Sequence, residues 1–171
     1  MNLVGFQARN HRQQTASRGP RPDVDDRATT LDVFTPLHER HQFSIDVAAS
    51  AENTKLPRFY SIEDDGLAQD WTGERVWCNP PYSNIEPWIV KTWGSGAQLV
   101  VMLLPANRTE QGWWQRQVEP FRDRPGGVRV EFLPGRLRFL RPGETEVPPN
   151  SRPPFGCCLL TWTRESIRRP A

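Results

Sequence analysis

The chain has 171 residues, 36% of them hydrophobic, and a formal net charge of +2. That length suits one domain with a real core, and the near-neutral balance names no partner by itself. The cysteines, Cys78, Cys157 and Cys158, are odd in number and form no Cys-x-x-Cys pair, which argues against a disulfide framework and a zinc site. No apolar run is long enough for a membrane span and no signal-peptide core is seen, so reduced thiols in a cytoplasmic setting are expected.

Charge is unevenly spread. Residues 31–119 carry twelve acids and seven bases, whereas residues 120–171 carry ten Arg and five acids. An acidic middle with basic ends fits a catalytic centre flanked by polyanion contacts, and it equally fits solvated Arg-rich ends. Lys55 and Lys91 are the only lysines.

Residues 1–28 are polar and aperiodic and read as a flexible lead-in to a single domain over 29–171. Thr35-Pro36 reads as a helix start, with Thr as N-cap and Pro in the first helical position. Phe43 to Val47 alternates and predicts a strand ending at the acid Asp46; Ala48 to Lys55 suggests a turn into a short helix. Arg58 to Tyr60 is a second strand candidate, followed by the acidic loop Glu63-Asp64-Asp65-Gly66. Arg75 to Cys78 is a third strand, running into Asn79-Pro80-Pro81-Tyr82. Pro87 and Gly94 bracket a helix ending at Trp93. Leu99 to Leu104 is a continuous apolar run, as expected of a strand covered on both faces. A helix over Glu110 to Val118 follows, then strands over Val128–Leu133, Arg136–Leu140 and Cys157–Thr163, with a Pro-rich loop over 142–154. The alternation predicts an α/β fold with a mainly parallel sheet and antiparallel C-terminal strands.

In such sheets ligands sit at the carboxyl ends of the strands, where both Asp46 and the Asn79 turn fall. Two adjacent prolines offer no N–H, so this turn leaves carbonyl oxygens without partners of its own. The Asn79 side chain adds an acceptor and Tyr82 a flat face. Acceptors beside an aromatic plate suit a planar ring carrying an amino group. The small residues Ala48, Ala49 and Ser50 allow a ligand close to the backbone, although they would equally pack under a helix. Asp64, Asp65 or Asp70 could accept the hydroxyls of a ribose, as a carboxylate does in dinucleotide folds, or form an ordinary acidic surface.

In this order the segments Phe43 to Asn53, Glu63 to Leu67, Asp70-Trp71 and Trp77 to Ser83 resemble the small phage-type DNA N6-adenine methyltransferases. Leu103 to Ala106 and Gly135 to Phe139 are weaker echoes. The resemblance implies a Rossmann-like fold, S-adenosylmethionine (SAM) as cofactor, double-stranded DNA as partner, no metal, and a bacterial cytoplasm in a phage or prophage setting. It further implies a cofactor contact at Thr35-Pro36, a cofactor-binding strand end at Asp46 to Ser50, and catalysis at Asn79 to Tyr82. Ala48-Ala49-Ser50 stand where many SAM enzymes have a Gly-rich loop. A separate target-recognition domain is not expected, so DNA contacts are expected from Arg108, Arg136 and Arg138 among others. Asn-Pro-Pro-Tyr also occurs in enzymes methylating protein glutamine or RNA bases, and cytosine N4 is a further alternative. A catalytically idle DNA- or protein-binding module of the same fold is the rival from another class. A dinucleotide oxidoreductase is disfavoured because no Gly-x-Gly-x-x-Gly follows the first strand.

Overall fold

The computed structural model describes residues 28–140 and 155–167. Most of the expected N-terminal lead-in and all of the Pro-rich loop therefore lie outside the described residues. In chain order the elements are β1 (Ala28–Thr29), α1 (Leu31–His41), β2 (Ile45–Asp46), β3 (Arg75–Cys78), α2 (Glu86–Trp93) and β4 (Leu99–Pro105). They continue with α3 (Gly112–Gln117), a 3₁₀ turn (Glu119–Phe121), β5 (Arg129–Phe132), β6 (Phe139–Leu140), β7 (Cys157–Thr163) and α4 (Arg164–Ile167).

Five strands form the central sheet in the order β2-β3-β4-β7-β5. β2, β3 and β4 pair in parallel, and β7 pairs antiparallel with both β4 and β5. β5 therefore points the same way as β2, β3 and β4, and β7 alone is reversed. The sheet is mainly parallel, as expected; among the described residues β7 alone of the C-terminal strands runs against it, and it lies inside the sheet.

β4 is buried along its whole length. Its side chains alternate between two cores, as the pleat requires. Val100, Met102 and Leu104 pack with Trp88 and Ile89 of α2 and Trp113 and Trp114 of α3. Leu99, Val101 and Leu103 pack on the other face with Phe34 and Leu37 of α1 and with Phe139. Helices cover both faces, which explains why β4 reads as one apolar run.

Several expectations are corrected. Helix α1 starts upstream, at Leu31, with Thr30 as N-cap in extended conformation. The amides of Val33 and Phe34 donate to the Thr30 carbonyl at 3.2 and 3.0 Å. Pro36 lies inside the helix. It removes one donor, which would otherwise bond the Asp32 carbonyl, on an exposed side of the helix where water can replace it. Ala48 to Lys55 forms turns and bends rather than a helix, and Arg58 to Tyr60 forms only an isolated bridge, Phe59 to Asp46. The strand expected over Arg136–Leu140 shrinks to β6, which pairs antiparallel with β1 and not with the main sheet.

Candidate active site

β2 and β3 lie side by side with Asp46 opposite Trp77. The amide of Val47 donates to the Trp77 carbonyl at 3.1 Å. The chain leaving β2 and the chain leaving β3 thus start from neighbouring positions at the same sheet end. A cavity of about 960 Å³ opens there, and Asp46, Ala48, Ala49, Ser50, Asp64, Asp65, Asn79 and Pro81 all line it. Strand ends and loops, not any one motif, bring these residues together.

The loop after β2 is organised by Asp46. This carboxylate is 4% exposed. It accepts the Ala48 amide at 3.3 Å and a further hydrogen bond from the Lys55 backbone. Burial outweighs these bonds and pushes its pKa up to about 6. The loop is pinned further by Ala49 donating to the Tyr60 carbonyl and by Ser50 donating to the Asn53 side chain at 2.8 Å. The opposite wall is the acidic loop. Asp64 Oδ2 accepts both the amide and the hydroxyl of Ser61, at 2.8 and 2.9 Å, and these bonds hold the carboxyl below its usual range. Asp65 adopts a left-handed backbone, φ 51°. Gly66 is required by close approach: a Cβ there would lie 2.1 Å from the Val47 carbonyl oxygen. Its own carbonyl accepts the buried Trp71 indole at 2.9 Å.

The Asn79 turn follows directly from β3. Asn79 Oδ1 is withdrawn from solvent and Pro80 is buried. Asn84 donates back to the Pro81 carbonyl at 3.2 Å. Tyr82 sits off the cavity wall. Its half-buried ring meets Phe139 and Phe155 edge-on, at centroid distances of 6.4 and 6.1 Å. Burial holds the phenol well above its ordinary pKa, so it stays protonated.

Other expected residues lie elsewhere. Thr35 and Pro36 are exposed on α1 and do not line the cavity, a correction that follows from the shifted helix start. Asp70 is also off the cavity; its Oδ1 accepts the Thr72 amide at 2.9 Å and so shapes its own turn. Arg136 and Arg138 are exposed in the segment leading into β6. Arg108 Nη1 donates to the Tyr82 carbonyl.

Sequence reasoning missed Thr29, Lys55 and Ile62. Thr29 comes to the cavity because β1 pairs with β6, and its buried Oγ1 has no hydrogen-bond partner among the described residues. The Thr29-Thr30 pair just before an amphipathic stretch was the available signal. Lys55 lines the cavity near Asp46, half-buried, with its Nζ on the Asn53 carbonyl; burial lowers its pKa and Asp46 partly offsets this. Ile62 is 89% exposed at the cavity rim, an uncovered apolar surface.

Residues 16–166 match the family model described as DNA N-6-adenine-methyltransferase (Dam). The chain belongs to this DNA N-6-adenine-methyltransferase family. Within it, the chain is 35% identical over 95 residues to a protein of Haemophilus phage HP1 named DNA N-6-adenine-methyltransferase, covering 53% of this chain and 55% of that protein. It is 34% identical over 86 residues to a protein of the same name from Escherichia phage T1, covering 48% of this chain and 36% of that protein. The chain thus spans about half or less of the length of these curated relatives. A solved Pyrococcus horikoshii structure, that of a candidate RNA methyltransferase, aligns at a TM-score of 0.43 and 12% identity over 83% of this chain and 76% of that one. Among the described residues no His, Cys, Asp and Glu side chains cluster as a metal site, and no helix is long and apolar enough to cross a membrane.

Proposed function

We propose that this family member transfers a methyl group from SAM to the N6 amino group of adenine in double-stranded DNA, in the bacterial cytoplasm of a phage or prophage host. The observation that carries the reading is the meeting of the Asp46 loop and the Asn79 turn on one cavity.

The cavity suits the cofactor. Its volume lies in the range of small-molecule sites, and its wall offers an unpartnered hydroxyl, a buried carboxylate, a lysine and acidic loop residues. When bound, SAM supplies an electrophilic methyl on a sulfonium. Ala48, Ala49 and Ser50 would let its amino-acid end approach the backbone, with Asp46 facing the ammonium and Lys55 the carboxylate. Asp64 or Asp65 would accept the ribose hydroxyls, and Ile62 would cover the adenine ring.

On the other side of the turn, Asn79 Oδ1 and the Pro80 carbonyl would accept the two N6 hydrogens of a target adenine. The N6 lone pair is delocalised into the ring and is a poor nucleophile. Two acceptors placed on its hydrogens draw the nitrogen towards tetrahedral geometry and free that pair. Pro81 fixes the direction of the turn, and Tyr82 would stack on the base. Catalysis of this kind is positioning plus fixed dipoles. The base must first leave the duplex stack, at a cost of a few kcal/mol. Phosphate contacts from the exposed Arg136 and Arg138 would help offset that cost.

The test is nucleoside mass spectrometry of unmethylated duplex DNA incubated with the purified protein and SAM. N6-methyladenine is expected. N4-methylcytosine in its place would keep the chemistry of the turn and move the substrate. With no modified base, RNA and protein glutamine become the substrates to try.

A further inference from the structure

A turn made of Asn79-Pro80-Pro81-Tyr82 has a mechanical weakness. Its two prolines donate nothing, so the turn can form few bonds of its own, yet its acceptors must be held to a fraction of an ångström. Something outside the turn has to fix it.

Two devices grip its far end. The Tyr82 ring makes edge contacts with Phe139 and Phe155, and the Tyr82 carbonyl accepts the Arg108 guanidinium. Arg108 comes from the loop after β4, the strand next to β3. That loop is itself tied down. The Ala106 amide donates to the Gly156 carbonyl at 2.8 Å, and Gln111 donates to the Arg108 carbonyl at 3.1 Å. The Gln115 side chain donates to the Thr109 carbonyl at 2.7 Å. The guanidinium is therefore a donor on a rigid base, partly withdrawn from water, where a charge-assisted bond is strong.

We infer that Arg108 is a positioning residue: it latches the Asn79 turn through the Tyr82 carbonyl, rather than serving as a phosphate anchor. This rests on the proposed reaction, because the latch matters through the acceptors it holds in place. Arg108 need not touch substrate or cofactor.

The test compares the wild-type protein with Arg108→Ala, Arg108→Lys and Arg136→Ala. Four quantities are measured: kcat, KM for duplex DNA, the salt dependence of DNA binding, and S-adenosylhomocysteine affinity by calorimetry. Hydrogen exchange over residues 78–88 is followed in parallel. Arg108→Ala should lower kcat on the order of 100-fold, the scale of a misplacement of about 1 Å. Its KM, salt slope and S-adenosylhomocysteine affinity should stay within about twofold of wild type. Exchange at the Asn84 amide should rise. Arg108→Lys should recover part of kcat, since one ammonium can still donate to one carbonyl. Arg136→Ala should leave exchange in the turn unchanged. The inference is overturned if Arg108→Ala keeps its kcat while DNA affinity falls and the salt slope drops by about one, the signature of a phosphate contact. Unchanged exchange at Asn84 would also overturn it. Should Arg108→Ala fail to fold, Arg108→Lys decides by the same criteria. If the wild-type protein modifies no base, the proposed reaction fails, and the exchange measurement still judges the latch separately.

Discussion

Asp46→Asn should remove a pH-dependent cost from the folded state. Asp46 is almost fully buried, and burial raises its pKa from 3.8 to about 6 despite two backbone donors. Since the folded pKa lies above the unfolded one, the stabilising contribution is complete below about pH 4 and is lost as pH rises through about 6. Over that window the unfolded chain releases its proton while the folded chain still holds it. A shift of this size corresponds to about 3 kcal/mol. Asn is neutral throughout, so the variant should gain about 3 kcal/mol on the wild type between pH 4 and pH 7. In a chain of this length that is on the order of 6–12 °C in melting temperature. Any hydrogen bond lost with the second oxygen shifts the whole difference curve without changing its slope. The lowered carboxyls of Glu74, Asp64 and Asp70 act in the opposite sense, but they are common to both proteins and cancel in the difference. Urea unfolding of both proteins at five pH values from 4 to 8 gives that difference. A flat difference across pH 4 to 7 would mean that Asp46 ionises normally and that burial does not govern its carboxyl.

The turn, the loop and the surface cations each give a further expectation. Asn79→Ala should reduce turnover below detection in the mass-spectrometric assay while calorimetry shows S-adenosylhomocysteine affinity within a few-fold of wild type; loss of cofactor binding would contradict the assigned role. Gly66→Ala should destabilise the protein by roughly 1–3 kcal/mol, as overpacking does, because its Cβ meets the Val47 backbone at 2.1 Å. The same change should weaken S-adenosylhomocysteine binding by pushing apart two cavity walls, and a variant with wild-type stability and affinity would count against the close approach. Arg136→Ala with Arg138→Ala should weaken DNA binding and reduce the slope of log K against log[salt] by up to about two; an unchanged slope would leave both as ordinary exposed cations.

Local signals predicted the elements whose stability is local. β4 is legible because burial on both faces leaves an uninterrupted apolar run. α2 is legible because Pro87 lies in its first turn and Gly94 caps its end. The Asn79 turn was legible because a buried strand delivers it. What failed did so for tertiary reasons. Thr35-Pro36 has the chemistry of a helix start, yet Phe34 and Leu37 belong to one apolar stripe against Phe43 and Trp77, so the helix forms through the proline. Lys55 and Asp70 are each a single charge in a stretch without regular periodicity. Only the fold puts one in the cavity and the other on a surface turn. Thr29 reaches the cavity through pairing with Phe139, a contact more than a hundred residues distant along the chain, which no local pattern encodes.

In the proposed reaction three neighbouring strand ends take three consecutive roles: the loop after β2 would hold the cofactor, the turn after β3 would supply the acceptors, and the loop after β4 carries Arg108. Adjacent strands lie about 4.8 Å apart, so this order fits the whole arrangement within roughly 10 Å. Such a design depends on register. A slip of two residues along β3 keeps the same faces buried yet moves Asn79 by about 7 Å from the Asp46 loop. Ladder bonds between strands as short as β2 and β3 are weak protection against that. The register is fixed from outside the ladder, at the opposite end of the strands. Ser44 Oγ donates to the Glu74 carboxylate at 2.5 Å, and its amide donates to the Arg75 carbonyl at 2.8 Å. Arg75 Nε reaches the His41 carbonyl at 2.6 Å, and Arg58 forks onto Glu74 at 2.8 and 3.1 Å. Every one of these bonds is broken by a two-residue slip. The polar cluster at the far end of β2 and β3 is therefore what places Asn79 beside the Asp46 loop, although none of its members lines the cavity between them.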